Sequence, residues 1–329
     1  MNTRRKLLVA LGAGALAMPL ASLAQQQGKV WRIGFLSSRS RPASVDSDFY
    51  GGFPRGLREL GYVEGKNLTI EWRFADGNSE NLAGLAAELV RLKVDLILTA
   101  GNAATSAAQK ATATIPIVIG AAADPVGNGL VASLARPGGN TTGLSNLSGD
   151  LGPKYLEMLL SVMPKPAPVA VLINPIAGQV TILESVRTAA QKTKVKILPV
   201  EVRTAAELDT AFAAMSREKA GALIVTLNPL FVQQGRRIAE LAAKYRLPSI
   251  APNREYAELG GLMSYGQNQA ESYRRAATYV DKIFKGAKPG ELPVEQPTRL
   301  DLLINGKTAK VLRITIPQSL LISAEKVIE

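Results

Sequence analysis

The sequence predicts an α/β protein built from two doubly wound parallel-sheet lobes with a hinge between them. Three observations support this fold class. The chain has 329 residues, which is too long for one small hydrophobic core. Apolar strand-like segments alternate with helix-like segments along most of its length. The alternation also falls into two similar runs that meet near residues 146–153.

The first run contains five predicted strands with helices between them. The strands are apolar runs, whereas the helices repeat apolar residues every three or four positions. Gly61 is a suitable residue for ending the first helix, and Asp124-Pro125 is predicted to open a loop and a late helix. The five predicted strands are 30–36, 68–74, 95–100, 115–119 and 141–145, and the clearest helices are 49–60 and 102–111.

The second run repeats this organisation and ends in a mixed tail. Its helices carry apolar stripes at helical spacing, most clearly in the long helix predicted for 267–285. The predicted strands are 168–173, 196–202, 222–225, 248–251 and 262–265, with a further strand at 299–304 in the tail. The other predicted helices are 154–163, 182–192, 205–216 and 231–245.

The first 24 residues have the order of a secretory signal peptide. Arg4, Arg5 and Lys6 precede an uncharged apolar stretch, and Ser22-Leu23-Ala24 predicts cleavage after Ala24. The apolar stretch is shorter than the about 20 residues that a membrane span needs. We therefore expect a periplasmic protein that is soluble after cleavage. The paired arginines are typical of a twin-arginine signal and equally of an ordinary one, so the export route stays open.

The chain contains neither cysteine nor histidine. This composition excludes disulfides, thiolate metal sites, a cysteine nucleophile and a lipid-anchoring cysteine. Catalysis that relies on an imidazole titrating near neutrality is excluded as well. We therefore expect no catalytic residues, no metal and no cofactor. An exported α/β enzyme that uses lysines or carboxylates remains the less favoured alternative.

The formal net charge is +12, and loss of the three basic residues of the signal peptide leaves +9. The basic residues are scattered, and the pairs Arg236-Arg237 and Arg274-Arg275 fall inside predicted helices, where they are expected to face solvent. An exported protein is also separated from the chromosomal DNA of the cytoplasm. Nucleic-acid binding is therefore not predicted, although the positive charge favours capture of an anionic solute.

Three local motifs could indicate other functions but lack the context that they require. The glycine pattern at 127–132 resembles a dinucleotide-binding turn but follows a late strand instead of the first one. Residues 143–147 lack the final glycine of a nucleophile elbow. Asp46 and Asp48 have no further spaced ligands that would indicate a cation site.

Polar and small residues follow many of the predicted strands in both runs. Turn and helix-capping chemistry explains each of them singly, but their recurrence predicts a shared polar cleft at the carboxyl ends of the strands. An aromatic ligand would also need stacking partners, for which Phe49, Tyr50, Tyr256 and Tyr265 are available. The candidate ligand-binding residues are Ser37, Ser38, Tyr50, Gly101, Asn102, Thr105, Asp124, Asn146, Asn174, Asn228, Glu255 and Tyr265.

Five stretches of the chain resemble one known family. They are residues 32–36 (RIGFL), 59–67 (ELGYVEGKN), 134–140 (LARPGGN), 260–266 (GGLMSYG) and 292–298 (LPVEQPT). The chain resembles ABC-transporter substrate-binding proteins of the tryptophan/tyrosine-binding type, which have a type I periplasmic-binding fold. The resemblance implies crossovers near 145–146, 265–266 and 293–297, an importer permease as partner, and amino-acid ligands.

The resemblance also implies lobe boundaries and two site features. We expect a first lobe of residues 29–145 plus 267–291 and a second of 146–266 plus 292–329, in a monomer. The segment 101–105 matches the one expected to meet a ligand carboxylate. Many relatives have an acidic residue where Asn228 stands, so a charged contact with a ligand ammonium would here be neutral. A ligand sensor for a membrane receptor would use the same cleft and remains an alternative to the transport function.

Overall fold

A computed structural model describes residues 29–146, 151–163, 165, 167–175 and 180–329. The predicted signal peptide lies outside these residues. Within the described part of the chain, no helix is both long and apolar enough to cross a membrane.

The first lobe is built on a five-stranded parallel sheet in the order β2-β1-β3-β4-β5. Its strand β3 is fully buried, and β1 and β4 are buried over most of their length, as expected for a sheet covered by helices on both faces. The strands are β1 (Trp31–Ser37), β2 (Leu68–Phe74), β3 (Leu96–Ala100), β4 (Ile117–Ala123) and β5 (Thr141–Asn146). The helices are α1 (Gly52–Glu59), α2 (Asn81–Arg91) and α3 (Asn102–Ala111), and a short 3₁₀ turn (Phe49–Gly51) precedes α1.

The second lobe is built on a seven-stranded sheet in the order β12-β11-β10-β9-β8-β6-β7. Its strands are β6 (Val169–Ile173), β7 (Ile197–Glu201), β8 (Ala222–Val225), β9 (Ser249–Ala251), β10 (Met263–Gly266), β11 (Asp301–Asn305) and β12 (Lys326–Ile328). Its helices are α4 (Gly152–Val162), α5 (Val180–Thr193), α6 (Leu208–Arg217), α7 (Pro229–Gln233), α8 (Gly235–Lys244), α9 (Arg254–Glu258), α11 (Gly306–Leu312) and α12 (Gln318–Ser323). The two predicted lobes are thus confirmed, with the difference that β11 runs antiparallel to β10.

The chain passes between the two sheets three times: after β5, after β10 and before β11. After the second passage, α10 (Gln269–Phe284) returns to the first lobe and packs against α1. Gly56 permits this packing, because a Cβ atom there would lie 2.5 Å from the Arg274 carbonyl oxygen. The third passage is tied to β5 through Glu295, whose N–H donates to Gly143 and whose carbonyl accepts from Ser145.

Two local predictions are wrong and one helix was not predicted, and each difference has a physical reason. No helix follows Asp124-Pro125, because the Asp124 carboxylate accepts from the Gly127 N–H (2.9 Å) and stabilises a turn, with a backbone φ of 38° at Asp124. The predicted helix 231–245 is two helices, since Gln234 leaves helical geometry between α7 and α8. The five-residue helix α9 was not predicted, because it is too short to show an apolar period.

Candidate functional site

A narrow cavity lies where strands of both lobes end, and we call it the crossover cavity. Its walls come from all three passages between the lobes and from the ends of β5, β8, β9 and β10. It leaves room for about one water molecule. The lining residues are Asn146, Leu151, Leu227, Pro252, Gly266, Gln267, Gln269 and Leu300. Parallel sheets gather ligands beyond the carboxyl ends of their strands, so this is the position expected for a ligand site.

The lobes also meet at the outer end of the cleft. The Gln233 side-chain amide, on α7 of the second lobe, donates to the Ser40 hydroxyl of the first lobe (3.2 Å). The negative charge of Asp48, in the first lobe, makes a small contribution to raising the pKa of Glu255, in the second. The two lobes are therefore also in contact at residues outside the crossover cavity.

An ionic and aromatic cluster follows β1 on the first-lobe side. The Arg39 guanidinium bonds both Asp48 carboxylate oxygens (3.2 and 3.4 Å), and each of these two side chains is 14% exposed. It also lies over the rings of Phe49 (4.7 Å) and Tyr50 (5.2 Å). The hydroxyls of Tyr50 and Ser37 are 2.8 Å apart, and the Ser37 hydroxyl accepts from the Arg39 N–H. The cluster fixes a cation and an anion in the loop that faces the second lobe.

Burial and charge act in opposite directions on Arg39. Burial alone lowers the pKa of Arg39, but its interactions with Tyr50 and Asp48 together outweigh burial, so that the pKa lies above the ordinary value. For the Tyr50 hydroxyl, burial has the opposite effect and raises the pKa, and the nearby Arg39 opposes this increase only in part. The guanidinium is therefore charged and the phenol neutral at physiological pH.

Glu255 brings a second carboxylate to the cleft. It lies in the first turn of α9, and its Oε2 accepts a long hydrogen bond from the buried Asn253 amide (3.4 Å). Burial raises the pKa of Glu255 above its ordinary value, with a smaller contribution from the negative charges of Glu258 and Asp48. Among the described residues it forms no salt bridge with a lysine or arginine. We call Arg39, Asp48 and Glu255 the charged cluster.

The loop from β3 to α3 is held by its own side chains. Gly101 precedes α3 with a backbone φ of 89°, a conformation that favours glycine, and no side chain caps the helix. Both ends of the Asn102 amide bond the backbone of Ala123 (2.8 and 2.9 Å), which ties this loop to the end of β4. The buried Thr105 hydroxyl bonds Thr99 and the Gly101 carbonyl, below the first turn of α3. The helix start is thus rigid, with Asn102 and Thr105 in supporting positions.

The other predicted residues have varied surroundings. Asp124 is exposed and its carboxylate caps the turn that follows β4. Tyr265 packs edge-to-face against Tyr155 in the second lobe, with ring centroids 6.5 Å apart. Asn228 is 4% exposed, and its Oδ1 accepts from the Leu230 N–H (2.8 Å) at the start of α7. The remaining three are Asn146, which lines the crossover cavity, Asn174, which is buried after β6, and Ser38, which is buried after β1.

Sequence reasoning did not identify Arg39, Asn253 or Gln267. Arg39 lies inside the polar loop that follows β1, and a charge in such a loop was the available signal. Gln267 directly follows residues 260–266, one of the five stretches that resemble the family, and this position was the available signal. Asn253 directly follows β9 and Pro252, but β9 has only three residues and gave a weak strand signal.

A second, wider groove lies elsewhere, along the outer edge of the first lobe beside β2. It has a volume of about 600 Å³, and its walls include Arg41, Arg58, Glu64 and Trp72. All of its lining residues come from the first lobe, and it is open to solvent. A site between two lobes needs residues from both, so the groove is not the candidate ligand site.

Comparisons with known proteins agree with the fold. The model of the family described as ABC transporter substrate binding protein matches residues 40–328. A tyrosine-binding protein of Clostridioides difficile is 29% identical over 263 residues, which cover 79% of this chain and 75% of that protein.

Two solved structures differ in how well they superpose. A Streptococcus pneumoniae ABC domain in complex with L-Trp is 26% identical, covers 91% of this chain and 99% of its own, and gives a TM-score of 0.82. The ligand-free, open structure of a substrate-binding protein with adhesive properties from Clostridium difficile has the same identity and coverage but a TM-score of 0.66. The better agreement with the liganded structure fits the contact between the lobes described above. The chain belongs to the ABC transporter substrate-binding protein family.

Proposed function

We propose that this chain is a periplasmic binding protein that captures one aromatic or polar amino-acid-like solute between its lobes. It releases the solute, chemically unchanged, to the permease of an ABC importer, and it acts as a monomer after residues 1–24 are removed. The observation that carries the proposal is the meeting of strand ends from both lobes at one cleft, with fixed charges on either side.

The charges of the cleft suit a zwitterion. The start of α3 has no side-chain cap, and its free N–H groups and positive dipole favour a carboxylate. Glu255 forms no salt bridge within the described residues, and a ligand ammonium beside it would relieve its repulsion with Asp48. Both terminal nitrogens of Arg39 bond Asp48, whereas its buried Nε has no partner among the described residues, so we expect Arg39 mainly to hold the loop.

The closed arrangement must open to admit such a solute. The crossover cavity has room for about one water molecule, whereas an amino acid needs several times that volume. We infer that the lobes separate about the three passages and close again over the ligand, so that ligand binding shifts the population toward the closed form.

The relatives suggest the first ligands to test. The names of two similar proteins mention tyrosine and L-Trp, and the rings of Phe49 and Tyr50 lie beside Arg39 in the loop that faces the second lobe. These rings and the charges described above together favour an aromatic amino acid over a sugar or an inorganic anion.

Titration calorimetry of the mature protein tests the proposal. L-Tryptophan, L-tyrosine and L-phenylalanine, each paired with the deaminated acid of the same ring, should include at least one ligand with a Kd below about 10 μM, and we expect the amino acids to bind more tightly than the acids. Intact recovery of the ligand after long incubation distinguishes capture from catalysis. Failure of every aromatic solute to bind, with a sugar binding instead, would contradict the proposed ligand class.

A further inference from the structure

The Gln267 side chain is buried without a hydrogen-bond partner. It is 7% exposed, and both its Nε2 and its Oε1 are buried with no partner among the described residues. Exchanging the positions of nitrogen and oxygen does not help, since both positions lack a partner. Buried amides in folded proteins are almost always paired, so an amide with both ends unpaired is a feature that needs an explanation.

The position of Gln267 provides that explanation. It lies between β10 and α10, in the second passage between the lobes, and it lines the crossover cavity. The neighbouring walls contain Asn146, Gln269 and several apolar side chains, and none of the described lining residues is a lysine, arginine, aspartate or glutamate. An unpaired donor and an unpaired acceptor therefore belong to a residue that lines a small space without a charged side chain among its described walls.

We propose that Gln267 is a specificity-determining residue that recognises an uncharged polar group at the distal end of the ligand. This inference rests on the function proposed above. A neutral amide offers one donor end and one acceptor end, so it pairs with a phenol hydroxyl, an indole N–H or a carboxamide. A carboxylate or an ammonium would be stripped of water here, and the described lining residues supply no countercharge.

The same geometry predicts rejection of hydrocarbon analogues. When the ligand lacks the polar group, the amide stays buried and unpaired in the closed complex, whereas the correct ligand satisfies it. Sites that hydrogen-bond a polar group discriminate strongly against analogues that lack it, because the unpaired protein group adds to the loss. A ligand with the same ring but no polar substituent is therefore expected to bind at least tenfold more weakly.

The first test needs no ligand. Gln267→Met keeps the length of the side chain and removes both unpaired polar atoms, so the melting temperature of the ligand-free mature protein should rise by a few degrees. Gln318→Met makes the same change at an exposed amide at the start of α12 and should leave the melting temperature unchanged. A lower melting temperature for Gln267→Met would show that the amide is paired in the free protein, by a bound water for example, and would overturn the inference.

The second test uses two matched pairs: L-tyrosine with L-phenylalanine, and L-tryptophan with 1-methyl-L-tryptophan. In each pair only the first member carries the donor. Calorimetry should show at least tenfold preference for that member in the wild type and in Gln318→Met, and a preference of less than threefold in Gln267→Met. Unchanged selectivity in Gln267→Met overturns the inference alone. If none of the four compounds binds the wild type, the proposed ligand class is wrong and the inference falls with it.

Discussion

The two ends of the cleft differ in charge and in how their polar groups are paired. At the charged cluster, the Arg39 and Asp48 side chains are paired with each other before any ligand arrives, and only Glu255 carries a charge without a cation beside it. At the crossover cavity none of the described lining residues is charged, and the polar atoms of Gln267 have no partner among the described residues. The comparison shows where stability and specificity are placed: the outer end holds the loop in shape, and the inner end leaves an unpaired group for the ligand to satisfy.

Arg39→Met gives the largest effect that we expect at the outer end. Asp48 would remain partly buried without its cation and close to Glu255, so the free energy of unfolding should fall by about 2 kcal/mol. Denaturant unfolding followed by circular dichroism measures this loss. The double variant Arg39→Met/Asp48→Asn should recover most of it, and a double variant as unstable as the single one would show that the ion pair is not the cause.

Asn228→Asp tests the role of charge in the cleft, because it adds a negative charge on the second-lobe side. Aspartate keeps the oxygen that accepts from the Leu230 N–H, so the start of α7 is preserved. Affinity for a ligand with an ammonium group should rise about tenfold, and affinity for the matching deaminated acid should fall by a similar factor. Calorimetry with one such pair measures both changes. Equal affinities in wild type and variant would mean that Asn228 acts only as a helix cap.

Glu255→Gln tests the pH dependence of the outer end. Because burial raises the folded-state pKa of Glu255, the folded protein binds a proton more readily than the unfolded chain. The wild type therefore loses stability as the pH rises from the ordinary carboxyl pKa through the raised one, whereas the amide of the variant does not titrate. At pH 7 the variant should melt a few degrees above the wild type, and the difference should vanish near pH 4. A difference that does not change with pH contradicts this assignment.

Gln233→Ala gives the smallest effect, because it removes one exposed hydrogen bond between the lobes. The closed form should lose about 0.5 kcal/mol, which weakens apparent ligand affinity by about twofold. Small-angle scattering should show a slightly larger radius of gyration for the ligand-free variant, with the same radius as the wild type at saturating ligand. Loss of binding by more than tenfold would place Gln233 in contact with the ligand.

Most of the architecture was predictable because buried parallel strands and amphipathic helices have distinct periods. The helix Asn102–Ala111 and the strands Leu68–Phe74 and Ala222–Val225 have the predicted bounds. The failures occurred where local hydrogen bonds decided the outcome, as in the turn fixed by the Asp124 carboxylate. The antiparallel direction of β11 could not be inferred from composition, because it follows from where the chain re-enters the second lobe.

The candidate site was only partly predictable, because the position of a residue after a strand does not reveal what its side chain bonds. Asn102 and Thr105 follow β3 as expected, but their polar atoms are used to build the loop. Gln267 was not predicted as a ligand-binding residue, because a single glutamine at the start of a predicted helix is ordinary in sequence. Its significance depends on the absence of a partner among the described residues, which only the three-dimensional arrangement can show.

The return of α10 to the first lobe has a consequence for the order of synthesis. The first lobe needs α10 to cover α1 and β4, and that helix is made only after most of the second lobe has left the ribosome. The second lobe in turn needs β11 and β12 from the last 29 residues. Neither lobe can therefore complete its core from a continuous stretch of nascent chain. A truncation after β10 should yield two incomplete lobes instead of one finished lobe and one missing.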